Sequence, residues 1–446
     1  MVNKSEQKQY SLKAGIAKIA SYLNIAICVP ISFIRVLCNF SLLRKVEIIV
    51  FMAEGGFGHT ITGPDLMRRL FKGKRCAFIA FSEFNRHNRK VARIWPDIFY
   101  LFLPLSTGVK FNNRAVILPL SAWYKRTAPQ LIIRLLRIFN KSFELYDNED
   151  IYKLTAFPDG FDAKRSIPKS LIGKDWCNSC VRVVGYLKLI NDVSVPEVRL
   201  PEKWRTRVRN KIEHLLSRGT DAAKLCGLYL RQKGIDSGDV TSSIRCGSKL
   251  EIYLAAIRYL NEKGYAVLLT GDESMADAVR EEFQGNLIDD KSIRIDKGYF
   301  DLFAAIESDI FICESGGGAW LPGLNNVPRL MTNSFPLGCG LQNSWVFYKT
   351  IREKNGQLVS DIKKTFIENE YQYNFEDYAV DNNNSEELLS AVASFLEDIK
   401  KPKDYNPGAE IVSRLSDTSW IKQSGAKISP AWLRLYSYKE GKCVKV

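Results

Sequence analysis

The chain has 446 residues, 46% hydrophobic and 25% charged, which excludes a disordered or low-complexity protein and is too long for one ordinary core, so two or three domains are expected. Its net charge of +15 is one-sided: residues 1–140 hold 22 Lys and Arg against 6 Asp and Glu, whereas the other 306 residues hold 42 against 43. A basic first third points to an anionic partner, whether nucleic acid, a phospholipid surface or a phosphorylated acceptor.

Residues 1–44 form an apolar, basic segment. Its longest uncharged run, Ile19 to Ile34, is sixteen residues, is broken by Pro30 and is short of the roughly 20 a spanning helix needs. On a helix, Leu12, Ile16, Ile19, Ala20, Leu23 and Ile27 share one face and Lys13, Lys18, Ser21 and Asn24 the other. That amphipathic pattern predicts a helix lying in a membrane interface over 12–43; the competing reading is a helix packed on the protein's own core.

Val46 to Met52 reads as a buried strand, followed by Glu54-Gly55-Gly56-Phe57-Gly58-His59 and a helix starting near Pro64. Further strands are expected at Ala77 to Phe81, Phe99 to Leu103 and Ala115 to Leu118, with a helix over Pro129 to Phe139. His59 follows the glycines at the carboxyl end of the first strand, where ligands of open α/β sheets bind. It can act as a general base near neutral pH or merely cap the helix; Glu54 and Asp65 are next in line as bases. His87 and His214 sit among charged residues and read as surface positions.

Of the ten cysteines only Cys177 and Cys180 make a CxxC, with no second pair to complete a zinc set. Together with no visible cleavable signal peptide, this predicts reduced thiols and a cytosolic protein.

Asp192 to Pro201 reads as a linker, dividing a first globular unit (45–200) from a second (201–405) and a C-terminal tail (406–446). In the second, a helix over Trp204 to Leu216 precedes a strand from Leu225 to Arg231. A helix from Ser248 to Lys263 follows, with Ser248 and Glu251 spaced as a capping box. Tyr265 to Leu269 is a strand leading into Thr270-Gly271-Asp272, Glu273 to Phe283 a helix, Ser292 to Ile295 a short strand and Tyr299 to Ser308 a helix. Asp309 to Cys313 is a strand that breaks into Glu314-Ser315-Gly316-Gly317-Gly318. A helix is expected from Ala319 and a strand at Val327 to Met331. This alternation predicts a parallel sheet with helices on both faces. Three strand ends carry chemistry. Arg231 can clamp a diphosphate through two N–H groups at once. Ser315 and the backbone of Gly316, Gly317 and Gly318 can hold the same group at a helix start. Thr270, Gly271 and Asp272 form a similar turn that capping alone also explains.

Two Rossmann-like units, each with a Gly-rich loop facing a central cleft, resemble the plan of GT-B glycosyltransferases. The second half is similar to a group of bacterial glycosyltransferases associated with surface-polysaccharide genes. The pieces that carry this are CGLYLRQKG (226–234), SSIRCGSKLEIYLAAIRYLNEKGYAVLLTGD (242–272), DLFAAIESDIFICESGGG (301–318), NNVPRLMTN (325–333) and KISPAWLRLY (427–436), with GGFGH at 55–59. LYLR also resembles the His-x-Arg motif of fucosyltransferase-like enzymes, whose arginine contacts the donor diphosphate; Tyr229 stands where histidine is common. Glu314 departs from the Ser-Ser-Gly form and is either a ligand for a ribose or sugar hydroxyl or a structural carboxylate.

The resemblance implies a nucleotide-sugar donor in the second domain, a surface-glycan or lipid-linked acceptor in the first, no metal or other cofactor, and a peripheral place on the cytoplasmic face of an inner membrane. Gly55, Gly56 and Gly58 would shape the acceptor loop. A sugar-nucleotide epimerase of the same plan and a basic nucleic-acid-binding protein are the rivals; no helix-turn-helix, zinc finger or RNP-type motif supports the latter, so no nucleic-acid partner is expected.

Overall fold

The computed structural model describes residues 26–52, 58–81, 88–103, 109–111, 114–116, 130–131, 133–138, 142–147, 151–152, 154–155, 175–217, 224–231, 247–283, 285–370, 377–416, 419–436, 438–439 and 442–443. The chain forms two compact units, Met1–Ile151 and Tyr152–Val446.

The first unit is built on a four-stranded sheet. Ile48–Met52 (β1), Cys76–Phe81 (β2), Ile98–Leu103 (β3) and Glu144–Asp147 (β4) pair in the order β3-β2-β1-β4, all in parallel. Ile48, Ile49 and Val50 are buried in succession, as in a strand covered on both faces. β4 was not legible as a strand because Glu144-Leu145-Tyr146-Asp147 is half polar and only partly buried. The stretch expected as a lone strand near Ala115 is instead half of a hairpin, Val109–Phe111 against Arg114–Val116.

The helix after the first glycine loop runs from His59 to Leu70, so Pro64 lies inside it. The start is five residues earlier than the proline suggested. Pro64 still falls in the second turn, where the missing N–H removes a single intrahelical bond.

The second unit holds a seven-stranded sheet: Lys224–Leu230 (β5), Tyr265–Gly271 (β6), Leu287–Ile288 (β7), Ile310–Glu314 (β8), Arg329–Ser334 (β9), Ser344–Tyr348 (β10) and Lys427–Ile428 (β11). The order is β11-β10-β9-β8-β5-β6-β7, and every pairing is parallel. The chain begins in the middle at β5, builds outward through β6 and β7, then returns to the other side of β5 with β8. The winding therefore reverses between β5 and β8, and in open α/β sheets ligands bind beyond the carboxyl ends of the strands at such a reversal.

Three expectations change here. Asp192–Pro201 is no free linker: Val198 and Leu200 are buried. Val198 donates to Asn325 Oδ1 (3.0 Å) and accepts from Asn325 Nδ2 (2.9 Å), pinning the segment to the second unit together with the preceding helix Asp175–Asp192. Ser292 to Ile295 is a turn, because Asp289 Oδ1 accepts from Ser292 N at 2.7 Å and from Arg280 at 2.7 Å, and Arg294 takes a positive φ of 51°. No capping box starts the helix Leu250–Glu262, since Ser248 Oγ donates to the Asn383 carbonyl instead. A capping box does form at Asn384 and Glu387, opening the helix Ser385–Asp398.

Candidate functional site

In the first unit, Glu54, Gly55 and Gly56 lie outside the described residues. Gly58 is the N-cap, its carbonyl accepting from Ile61 N and Thr62 N. His59 is the first helical residue and is exposed. It caps no helix starting near Pro64, because the helix has already begun. Asp65 is fully buried: its carboxylate accepts from Arg69 Nε at 2.7 Å, and neighbouring Arg68 bonds Asp97 at 3.0 Å and covers the Trp95 ring. A carboxylate so enclosed fits a packing role, since breaking a buried pair costs about 3–5 kcal/mol.

In the second unit, the strand ends β5, β6, β8 and β9 bring Arg231, Thr270-Gly271-Asp272, Glu314-Ser315 and Thr332-Asn333 to one edge of the sheet. At its centre lies Glu314, fully buried. Its Oε2 accepts from Arg231 N (2.8 Å), and its Oε1 from Ser248 N (2.9 Å), Tyr253 Oη (3.0 Å) and Asn333 Nδ2 (3.2 Å). Tyr253 Oη also meets Thr332 Oγ1 at 2.8 Å, and Asn333 and Asn383 exchange hydrogen bonds. One carboxylate thus ties together β5, β8, β9 and the approach to the helix Leu250–Glu262. Burial pushes its pKa up to about 7 against the pull of these donors. Gly247 is required beside it, because a β-carbon there would stand 1.6 Å from Glu314 Oε1. The two meanings left open for Glu314 resolve toward structure: its oxygens are already engaged by the protein.

Arg231 and Ser315 are arranged differently. Arg231 Nη1 donates to the Ser315 carbonyl at 3.1 Å, across the β5/β8 reversal. Among the described residues no carboxylate pairs with this half-buried guanidinium. The Ser315 Oγ is buried and has no hydrogen-bond partner. An orphaned buried hydroxyl is rare and calls for an explanation; beside an unpaired cation, an anionic ligand is one. The glycines that follow are needed for another reason. A β-carbon on Gly318 would lie 2.7 Å from the Tyr229 ring, and one on Gly316 2.9 Å from Tyr229 Oη and 3.3 Å from Arg231 Cδ. Tyr229 and Arg231 point to the same side of β5, two residues apart, and burial pushes the Tyr229 hydroxyl well up from its ordinary pKa.

No α-helix begins at Ala319. Two short 3₁₀ turns, Gly317–Ala319 and Leu321–Asn325, take its place, because Pro322 removes a donor and Asn326 turns left-handed. The helix dipole expected at Ala319 is therefore missing. Thr270 Oγ1 donates to the Leu228 carbonyl (3.1 Å), and Gly271, at φ +95°, lets the Leu230 carbonyl approach to where a β-carbon would be 2.1 Å away. These two serve the β5–β6 junction; exposed Asp272 stands at its rim, its N–H on the Leu230 carbonyl.

The partners Tyr253, Ser248, Asn333 and Asn383 were not foreseen. The one usable signal was the polar pair Thr332-Asn333 extending a strand that otherwise reads as apolar.

No protein-family model matches the chain, and no curated protein matches it. Among solved structures, the glycosyl transferase family 9 protein from Veillonella parvula is 14% identical over 79% of this chain and 98% of its own, with a TM-score of 0.46. The ADP-heptose LPS heptosyltransferase II of E. coli is 12% identical over 80% and 100%, with a TM-score of 0.41. Both likenesses are loose, and the fold described above stands on the chain's own geometry.

Proposed function

We propose that the chain is a GT-B glycosyltransferase that moves a sugar from a nucleotide-sugar donor to a surface-glycan or lipid-linked acceptor, on the cytoplasmic face of an inner membrane. The observation that carries this is the orphaned Ser315 hydroxyl beside Arg231, with which no carboxylate among the described residues pairs, at the reversal between β5 and β8. There the arginine and the hydroxyl would hold the donor's diphosphate and stabilise the charge that develops as the sugar–phosphate bond breaks. Glu314, Gly316, Gly317 and Gly318 shape this site, the first by fixing the Arg231 backbone. Asp272 is available at its rim. His59 would take the proton of the acceptor hydroxyl as the new glycosidic bond forms. No metal is required, because the leaving phosphate is neutralised by protein groups.

The test is a panel of nucleotide sugars scored for release of free nucleotide, with and without membrane lipid and with excess chelator. Release from one donor that survives chelation supports the reading. Interconversion of the sugar without release would replace it with an epimerase, and abolition by chelator would remove the metal-free mechanism.

A further inference from the structure

Residues 26–38 are helical, and Phe40–Leu43 continues after a turn at Asn39. One side of this helix belongs to the first unit's core: Cys28, Val36 and Leu43 cluster with Ile49, Ala77, Ile79, Leu101 and Leu136. Arg35 also reaches inward, donating to the Phe102 carbonyl at 2.6 Å. The inward positions 28, 32 and 36 recur every four residues. The opposite side should then be polar, but it carries Ile27, Ile34 (57% exposed) and Leu37 (55%), with Leu42 exposed beyond them. The helical residues 130–131 and 133–138 repeat this: Leu136 is buried in the same cluster, while Leu131 and Ile138 (68%) are exposed.

Among the described residues, six of the nine exposed large apolar side chains lie on these two short segments. Within the sequence stretches that hold them, the charge has one sign. The sequence has no Asp or Glu in 7–46 or 98–143. Arg44, Lys45, Arg134 and Arg137 are all exposed.

We infer that the outward faces of helices 26–43 and 130–138 form a docking surface for an anionic lipid bilayer, with Ile34, Leu37 and Ile138 entering the interface and Arg44, Lys45, Arg134 and Arg137 meeting lipid phosphates. An apolar stripe with basic flanks suits such a surface, and the acidic residues next in sequence, Glu47 and Glu144, pair with Arg75 and Lys74; a soluble protein rarely leaves so much apolar surface exposed. This deepens the peripheral location proposed above, yet it does not depend on donor chemistry, since vesicle binding is read without nucleotide.

The experiment is co-sedimentation of the full chain with phosphatidylcholine vesicles containing or lacking phosphatidylglycerol. Binding should require phosphatidylglycerol and weaken with salt. Ile34→Glu/Leu37→Glu should weaken it by at least about tenfold, and Arg134→Glu/Arg137→Glu by roughly tenfold, given the usual worth of such contacts. Unchanged melting temperature in both variants shows that the fold is intact. Three results overturn the inference: wild-type binding that ignores lipid charge, loss confined to Ile16→Glu/Leu23→Glu, or variants that alter only self-association, which would make the face a contact between copies of this chain. Release of nucleotide by a protein that ignores vesicles would overturn this surface while leaving the transferase reading in place.

Discussion

The ring of Tyr229 occupies the space that a side chain at Gly318 would need, so close that a β-carbon there would stand 2.7 Å from the ring. The glycines of the β8 loop are therefore tied to the residue two positions before Arg231. Gly318→Ala should destabilise the second unit by about 1–3 kcal/mol, the range for overpacking. Tyr229→Ala in the same chain should return part of that loss, so the two changes combine less than additively. Denaturant titration of the single and double variants measures the coupling; strict additivity would mean the loop's glycines answer to something other than Tyr229.

Arg231 and Ser315 should act on ligand affinity rather than on stability. Arg231→Ala should weaken nucleoside-diphosphate binding by about 2–3 kcal/mol, as for a lost charge-assisted hydrogen bond. Ser315→Ala should cost about 0.5–1.5 kcal/mol, the neutral range, with no stability loss because its hydroxyl has no protein partner to abandon. Calorimetry on both variants decides it, and unchanged affinity in a folded Arg231→Ala protein removes the assignment.

Glu314 makes stability depend on pH in a definite direction. Its pKa rises from 4.5 to about 7 in the fold, so between these values the native state binds a proton that the unfolded state does not. That contribution is fully present below pH 4.5 and is lost as pH rises through about 7. Glu314→Gln should remove this component and flatten the profile. The variant should also be less stable overall, because an amide cannot accept from Arg231 N, Ser248 N, Tyr253 and Asn333 together. Denaturation at several pH values in both proteins tests this; an unchanged slope would place the titration elsewhere.

Much of the α/β alternation was legible because buried parallel strands such as Ile48–Met52 and Ile310–Glu314 are short apolar runs ended by glycine or polar residues. Arg231, Thr270 and Ser315 could be placed at strand ends for the same reason. What they touch could not, since Tyr253 and Glu314 are 61 residues apart and Ser248 and Asn383 are 135 apart; only the sheet order brings them together. Periodicity also misled at the N-terminus. Of the stripe read from 12–27, only Ile27 lies among the described residues, and it is exposed; what periodicity did not reveal is that Cys28, Val36 and Leu43 face the core. Removing residues 1–43 would therefore strip the first unit's core as well as any membrane contact.

His59 offers the sharpest test of the chemistry. The helix begins at His59 with Gly58 as its cap, and His59 is exposed on its first turn, a place where substitution usually changes stability by no more than about 0.5 kcal/mol. As the acceptor's base, His59→Ala should lower turnover by about 10² to 10⁴ while leaving nucleotide affinity nearly unchanged, because the proposed diphosphate ligands are in the other unit. His59→Asn separates a base from a polar residue that only hydrogen-bonds: asparagine can replace the bond but cannot take the proton. Turnover, nucleotide affinity and melting temperature measured on both variants give the answer. Full activity in the asparagine variant would move the base to another group, with Glu54 the next to test because Asp65 is enclosed by its own helix's arginines.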